Sequence, residues 1–147
     1  MLIAIASDHG GFRLKGELTR LLPSIGHACH DLGPHEGNPV DYPDYAQRVA
    51  TAVADGLYDR AILICGTGQG MAMSANKVKG IRAALCQDTY SAKMSREHND
   101  ANVLCMGERA LGPGPVEGIV KAWLEAEFSE EEGHSRRVAK IRALEDR

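Results

Sequence analysis

Short apolar runs alternate along this chain with longer stretches in which apolar residues recur at helical spacing. A run without polar positions is typical of a strand that is buried on both faces, as in a parallel sheet. The runs therefore predict five strands, which cover residues 2–6, 27–32, 61–64, 81–86 and 102–106.

Helical spacing predicts the elements between the strands. In the first helix, over residues 12–22, Leu14 and Leu18 begin an apolar face, and Pro23 is expected to stop the helix. The other predicted helices cover residues 44–56, 71–76, 88–97, 114–128 and 134–146. Because strands that alternate with helices build βαβ units, we expect an open three-layer α/β sandwich, with a five-stranded parallel sheet and helices on both faces. The last helix has an apolar stripe but no place left on the sheet, so we expect this C-terminal helix at a dimer interface.

Composition narrows the class of protein. The chain has 147 residues, of which 44% are hydrophobic and 25% charged, and this fits one globular domain over residues 1–147. The formal net charge of -3 provides no basic field for nucleic acid, and no apolar run approaches the roughly 20 residues of a membrane span. The four cysteines are scattered without CxxC spacing. We therefore expect reduced thiols in a cytoplasmic protein, without disulfides or a zinc site.

Glycine falls at every second position after the third strand, directly behind a cysteine. The segment Cys65-Gly66-Thr67-Gly68-Gln69-Gly70 joins this strand to a helical stretch. Backbone N–H groups in such a turn can hold an anion, and a helix N-terminus favours a thiolate. The spacing matches neither a Walker A loop nor a GxGxxG fingerprint. A thiolate beside these donors suits acyl transfer through a thioester or removal of a proton next to a carbonyl; a buried, inert cysteine is the structural alternative.

Other polar residues are expected near this turn, since ligands of open parallel sheets bind at the carboxyl ends of the strands. Asp8 and His9 follow the first strand, and Arg109 follows the fifth. His98 and Asn99, at the end of the helix before the fifth strand, are assigned to the same edge. Asp8 and His9 could act as a base with its orienting acid, and the alternative is that they lie in a solvated loop. For His98 and Asn99 the alternative is a polar helix terminus without a function. No set of His, Asp and Glu has metal-ligand spacing, so no metal is expected.

Arginines are the candidates for binding a phosphate, which they grip through planar, bidentate hydrogen bonds. Arg109 follows the fifth strand, while Arg136 and Arg137 lie in the last predicted helix. For one of these last two, a solvated helix face is the alternative. Because this helix is expected at a subunit interface, the other arginine is expected to reach across it.

Several segments, taken together, match a known family. They are Ser7-Asp8-His9-Gly10-Gly11, Asp41-Tyr42-Pro43-Asp44-Tyr45, Ile64-Cys65-Gly66-Thr67-Gly68-Gln69-Gly70, Ser74-Ala75-Asn76-Lys77, Ile81-Arg82-Ala83-Ala84, His98-Asn99-Asp100-Ala101-Asn102-Val103 and Gly107-Glu108-Arg109. In order and spacing along almost the whole chain, the sequence resembles ribose-5-phosphate isomerase of type B, in the family shared with the galactose-6-phosphate isomerase subunits.

The resemblance implies a Rossmann-like three-layer sandwich with a five-stranded parallel sheet. It also implies a homodimer or a dimer of dimers, with active sites at the subunit interface. It implies cofactor-free interconversion of an aldose phosphate and a ketose phosphate through an enediolate. Cys65 would move the proton between C1 and C2, Thr67 would assist proton movement between the two oxygens, and His98 would open the furanose ring. The implied binding residues are Gly66, Gly68 and Gly70 in the anion hole, Asp8 and Asn99 at the sugar hydroxyls, and His9, Arg109, Arg137 and His134 at the phosphate, the last two from the partner chain.

Two positions bear on how far the resemblance extends. One branch of the family uses a glutamate at the position of Met71, which cannot accept a proton, and this agrees with Cys65 as the base. Gly133 stands where the family usually has an arginine before His134, and Arg136 is the candidate replacement. This departure leaves open the same reaction on allose, galactose or tetrose phosphates. A non-catalytic domain that senses phosphate or nucleotides, and a thiol-dependent hydrolase, are the alternatives from other classes.

Overall fold

The computed structural model describes residues 1–112 and 114–147, in which strands and helices alternate along the chain. The strands are β1 (Leu2–Ser7), β2 (Ala28–Asp31), β3 (Arg60–Cys65), β4 (Ala83–Leu85) and β5 (Val103–Gly107). The helices are α1 (Phe12–Ser24), α2 (Tyr42–Ala54), α3 (Gln69–Ala75), α4 (Thr89–Glu97), α5 (Val116–Glu125) and α6 (Glu132–Ala143). Short 3₁₀ turns cover His9–Gly11 and Leu144–Asp146. Within these residues no helix is both long and apolar enough to cross a bilayer.

The prediction that Pro23 stops the first helix is wrong. Pro23 lies inside α1, which continues to Ser24. Near a C-terminus the missing N–H of proline removes one bond only, and the backbone N–H of Ile25 donates to the carbonyls of Leu21 and Leu22. The last turn is therefore closed without the proline.

All five strands are parallel and lie in the order β2-β1-β3-β5-β4. The order reverses between β1 and β3. After β1 the chain adds β2 at one edge of the sheet, and after β3 it adds β4 and β5 toward the other edge. Ser7 pairs with Ile64, and Cys65 pairs with Gly107. The carboxyl ends of the three central strands are therefore level, and the residues that follow them meet at one edge.

Alternate strand residues fill a separate core on each face of the sheet. On one face Ile3 and Ile5 pack with α1, α4 and α5, whose Trp123 is fully buried. On the other face Ala4 and Ala6 pack with α2 and α3. The predicted three-layer α/β sandwich is confirmed.

Helix α6 lies outside these layers, along the amino ends of β4 and β5. Val138 is its buried residue, and the turn after it is joined to the segment before β4 by an ion pair of 2.6 Å between Lys79 Nζ and Asp146 Oδ1. Ile141 and Leu144 are 41% and 62% exposed. The placement of this C-terminal helix at a subunit interface stays a prediction.

Candidate functional site

Cys65 is the last residue of β3 and lies at the carboxyl edge of the sheet, 5% exposed. The turn behind it bends back so that the backbone N–H of Gly68 donates to Cys65 Sγ at 3.2 Å. The exposed Thr67 hydroxyl accepts the N–H of Gln69 at 3.3 Å. A donor on the sulfur stabilises negative charge there, which is what a thiolate base requires.

Two of the glycines in this turn are required by the close approach of neighbouring elements. Gly68 has a φ of +81°, and a Cβ at this position would lie 2.5 Å from the side chain of Leu85. A Cβ at Gly70 would lie 2.4 Å from the ring of Tyr42, the first residue of α2. The Tyr42 ring thus packs directly on the start of α3, and it remains 40% exposed. Tyr42 belongs to one of the segments that match the family, but nothing in the sequence predicts this contact.

Asp8 and His9 lie on the same edge, after β1. The backbone N–H of Asp8 donates to the carbonyl of Ile64, and its buried carboxylate accepts the N–H of Gly10 at 2.8 Å. His9 is exposed, and its Nδ1 accepts the N–H of Val40 at 3.3 Å. This bond links the His9 ring to the loop that precedes α2.

The segment after β5 lies at the same edge of the sheet, beside the turn that follows β3. The backbone N–H groups of Glu108 and Arg109 donate to the carbonyls of Cys65 and Gly66 at 3.0 Å each. The Arg109 side chain lies along Gly66, with its Cδ 3.4 Å from the place of a Cβ there. Glu108 also accepts the N–H of Leu14 at 2.7 Å and so ties α1 to this segment. The structure therefore brings together Asp8, His9, Cys65, Gly66, Thr67, Gly68, Gly70 and Arg109, which we call the carboxyl-edge group.

The thiols of Cys29, Cys86 and Cys105 lie in environments that oppose ionisation. Burial, helped by the charge of Asp31, raises the pKa of Cys29 to about 11. Burial also raises the pKa of Cys86, and burial with the neighbouring Cys65 and Cys86 raises that of Cys105. A thiol with a raised pKa is a poor base near neutral pH. The four cysteines are free.

The assignment of His98 and Asn99 to the edge of Cys65 is wrong within one chain. Arg82, directly before β4, donates through Nε to the carbonyl of Asn99 at 3.0 Å. Residues that precede a parallel strand lie at its amino end, so His98 and Asn99 lie at the opposite edge of the sheet. β5 spans 5 residues, and at about 3.3 Å per residue it separates the two edges by about 16 Å.

His98 has its own surroundings at this amino edge. Its half-buried ring stacks on the ring of His134 in α6, with centroids 4.1 Å apart and planes at 29°. The Nδ1 of His134 lies 2.6 Å from the Oγ of Ser129. His98, Asn99, His134 and the neighbouring Arg137 form a second set, which we call the amino-edge group.

The two arginines of α6 have different neighbours. The Arg137 guanidinium folds over Gly133, with Nη1 3.2 Å from the place of a Cβ at residue 133. Arg136 faces Glu132, with Nη1 3.8 Å from the carboxylate. Arg137 thus occupies the space that a side chain at residue 133 would take.

A cleft of about 660 Å³ opens beside the amino-edge group. It lies between β4 and the end of α6 and is lined in part by Asn99, Ile141 and Leu144. In the described part of the chain, no three His, Cys, Asp or Glu side chains are grouped so as to hold a metal ion. A ligand that used both groups of predicted site residues would have to draw them from two chains.

Known proteins resemble this chain along nearly its whole length. The model of a family described as Ribose/Galactose Isomerase matches residues 3–141. Ribose-5-phosphate isomerase B of Escherichia coli is 48% identical over 99% of this chain and 97% of its own, and a D-erythrulose-4-phosphate isomerase of Pectobacterium atrosepticum is 46% identical over 95% and 91%. The solved structure of ribose-5-phosphate isomerase B of Clostridium thermocellum superposes with a TM-score of 0.97 at 51% identity, and the match covers 99% of this chain and 98% of that one.

Proposed function

This chain belongs to the ribose/galactose isomerase family and is an aldose–ketose isomerase of sugar phosphates; from that premise we propose that it interconverts ribose 5-phosphate and ribulose 5-phosphate, with Cys65 as the base. The observation that carries the proposal is the backbone donor of Gly68 on Cys65 Sγ at the edge where the central strands end. Family membership argues against the non-catalytic sensing domain and the thiol-dependent hydrolase.

The reaction needs one base that serves two carbons. The Cys65 thiolate removes the proton from C2 of the open-chain aldose, and O1 gains a proton, which yields the enediol. The thiol then returns the proton to C1 while O2 loses its proton and becomes the new carbonyl. We assign the exchange between O1 and O2 to Thr67, the exposed residue two positions after Cys65. No cofactor is needed, because hydrogen moves only within the substrate and between it and these side chains.

The base alone does not account for catalysis, since a carbon acid beside a carbonyl is far weaker than a thiol. Preorganised donors aimed at the developing oxyanion are worth about 3–4 kcal/mol each. We assign this task to the backbone amides of the turn from Gly66 to Gly70 that do not already donate to Cys65 Sγ or to the Thr67 hydroxyl. The phosphate then belongs at the far end of the site, with His9 and Arg109.

The amino-edge group completes the site from a second subunit in this proposal. His98, the ring-opening acid, lies about a strand length from its own chain's Cys65. A twofold axis that places the amino-edge group of one chain against the carboxyl-edge group of the other creates two equivalent sites. His98, Asn99 and Arg137 would then contact the substrate bound at the partner's Cys65, with His134 stacked on His98.

Replacement of Cys65 tests the chemical step. We expect Cys65→Ala to lower kcat for ribose 5-phosphate by about a hundredfold or more, because a positioned base contributes at least that factor. The KM should change little, since the thiol does not bind the phosphate. Cys29→Ala, at the half-buried thiol in β2, is the matched control and should retain activity. Turnover that survives in Cys65→Ala would contradict the assigned base.

A tetrose phosphate is the second candidate substrate. One relative at 46% identity is a D-erythrulose-4-phosphate isomerase, and Gly133 leaves the Arg137 guanidinium folded against α6. Comparison of kcat/KM for ribose 5-phosphate, erythrulose 4-phosphate and the six-carbon allose and galactose 6-phosphates decides between them. A higher value for any of these rivals would displace ribose 5-phosphate as the substrate.

A further inference from the structure

The ring of His98 packs against a second histidine ring. His98 follows α4 directly as its C-terminal cap, and its ring stacks on that of His134 at 4.1 Å. A stack uses the face of an imidazole, so both ring nitrogens, which lie on the edge, stay available for proton transfer. The contact therefore prevents rotation of the ring without blocking its chemistry.

Ser129 holds the second ring of this stack. Its Oγ lies 2.6 Å from His134 Nδ1, and its backbone N–H donates to the carbonyl of Glu97 at 3.0 Å. Since Glu97 directly precedes His98, Ser129 contacts both the backbone next to His98 and the side chain of His134. Contacts thus link Glu97, His98, Ser129 and His134 in a closed circuit, which joins α4, the segment before α6, and α6 itself.

A carboxylate also approaches His134 in the circuit. Glu131 Oε2 lies 3.8 Å from His134 Nδ1 but is 75% exposed, and Arg137 folds against Gly133 on the same helix. Of the two partners of His134 Nδ1, the Ser129 hydroxyl at 2.6 Å is therefore closer than the Glu131 carboxylate. When the serine hydroxyl donates to Nδ1, the proton of a neutral His134 lies on Nε2.

We propose that Ser129 and His134 are positioning residues, which hold the His98 ring in place to open the cyclic form of the substrate. The inference rests on the proposed function. In ring opening the C1–O4 bond breaks, O4 gains a proton from His98, and the O1 hydroxyl loses a proton to solvent, from which His98 is protonated again. A loosely held ring would impair this step but not the later removal of a proton from carbon.

Two reactions of one substrate pair separate these steps. Isomerisation of ribose 5-phosphate requires ring opening. Ribulose 5-phosphate has no ring, because its C5 oxygen carries the phosphate, so exchange of its C1 hydrogen with D2O requires the base and the oxyanion donors but no ring-opening acid. We expect Ser129→Ala to lower kcat for ribose 5-phosphate by about tenfold with KM nearly unchanged, since misplacing an acid forfeits part of its contribution. Exchange into ribulose 5-phosphate should stay within about twofold of the parent, because the base is untouched.

Ser129→Thr keeps the hydroxyl and should restore isomerisation, while Glu131→Gln, at the exposed carboxylate, is the matched control and should behave as the parent. Equal losses in both reactions, or no loss in either, would overturn the proposal. A long-range ¹H–¹⁵N spectrum reports the hydrogen bond at His134 Nδ1 without any turnover, and an unchanged His134 signal in Ser129→Ala would also overturn it. Absence of both reactions in the parent protein would instead overturn the proposed function, and this inference with it.

Discussion

At the scale of single residues, the glycines beside Cys65 serve different neighbours. Gly68 combines a positive φ with the close approach of Leu85, whereas Gly70 leaves room for the ring of Tyr42. The alternating glycines therefore do not all serve to bind an anion. Part of it lets α2 and β4 pack tightly around the turn that carries the proposed base.

A methyl group at Gly70 tests this packing. Gly70→Ala places its Cβ 2.4 Å from Tyr42 Cε1, and we expect a loss of about 1–3 kcal/mol in the free energy of unfolding, as overpacking usually costs. The displaced ring should also disturb the turn and lower kcat/KM. The double variant Gly70→Ala/Tyr42→Ala should recover part of both, since the two changes share one contact.

Gly16→Ala is the control for this experiment. Gly16 lies within α1, and nothing stands within 4 Å of a Cβ at its position. There alanine should stabilise the helix by about 0.5–1 kcal/mol. Urea unfolding and steady-state assays of the variants measure both effects. A Gly70→Ala protein as stable and as active as the parent would show that the Tyr42 ring yields without cost.

At the scale of secondary-structure elements, Asp100 connects three parts of the amino edge. Its carboxylate lies 3.0 Å from Arg96 of α4, 3.0 Å from Arg82 before β4, and 3.7 Å from Arg142 of α6. Arg82 and Arg96 have side chains only 10% and 8% exposed. Asp100 also has a φ of 49°, in the left-handed region that Asp and Asn tolerate better than most residues. The segment that presents His98 and Asn99 is thus anchored by one carboxylate.

Asp100→Asn keeps the backbone conformation but removes the charge. Because two largely buried guanidinium groups would lose their counter-ion, we expect a loss of about 2–4 kcal/mol in the free energy of unfolding. Arg142→Ala removes the longest and most exposed of the three pairs and should cost less than about 1 kcal/mol. Urea unfolding of both variants measures the difference, and equal losses would contradict the central place given to Asp100.

The sequence predicted the elements better than their arrangement. Continuous apolar runs and helical spacing are local signals, so all five strands and the helices between them could be found. The exchange of β4 and β5, which puts β5 beside β3, has no local signal. The correct edge for His98 could have been inferred from the sequence, because a helix that returns to start a parallel strand ends at the amino edge. The stack of His98 on His134 depends on how α6 packs, and nothing in the spacing of the two residues predicts it.

At the scale of the whole molecule, the carboxyl-edge and amino-edge groups are the two halves of the proposed site, held apart by the sheet. A chain that carries both halves at opposite edges cannot bring them together by moving a loop, since β5 and its neighbours lie between them. A second copy can supply the missing half to each chain. The exposed Ile141 and Leu144 beside the cleft at the amino edge are apolar surface that such a copy could cover.

Mixed subunits test this arrangement directly. Cys65→Ala disables the carboxyl-edge group and His98→Asn disables the amino-edge group, so each variant alone should be nearly inactive toward ribose 5-phosphate. When the two are co-expressed with different tags, random pairing makes half of the dimers mixed, and in each of these one site has both changes and the other has neither. The purified mixture should regain about a quarter of the parent activity, with kcat/KM per intact site unchanged. If Cys65 and His98 acted within one chain, every site in every pairing would carry a change, and the mixture would stay as inactive as its parts.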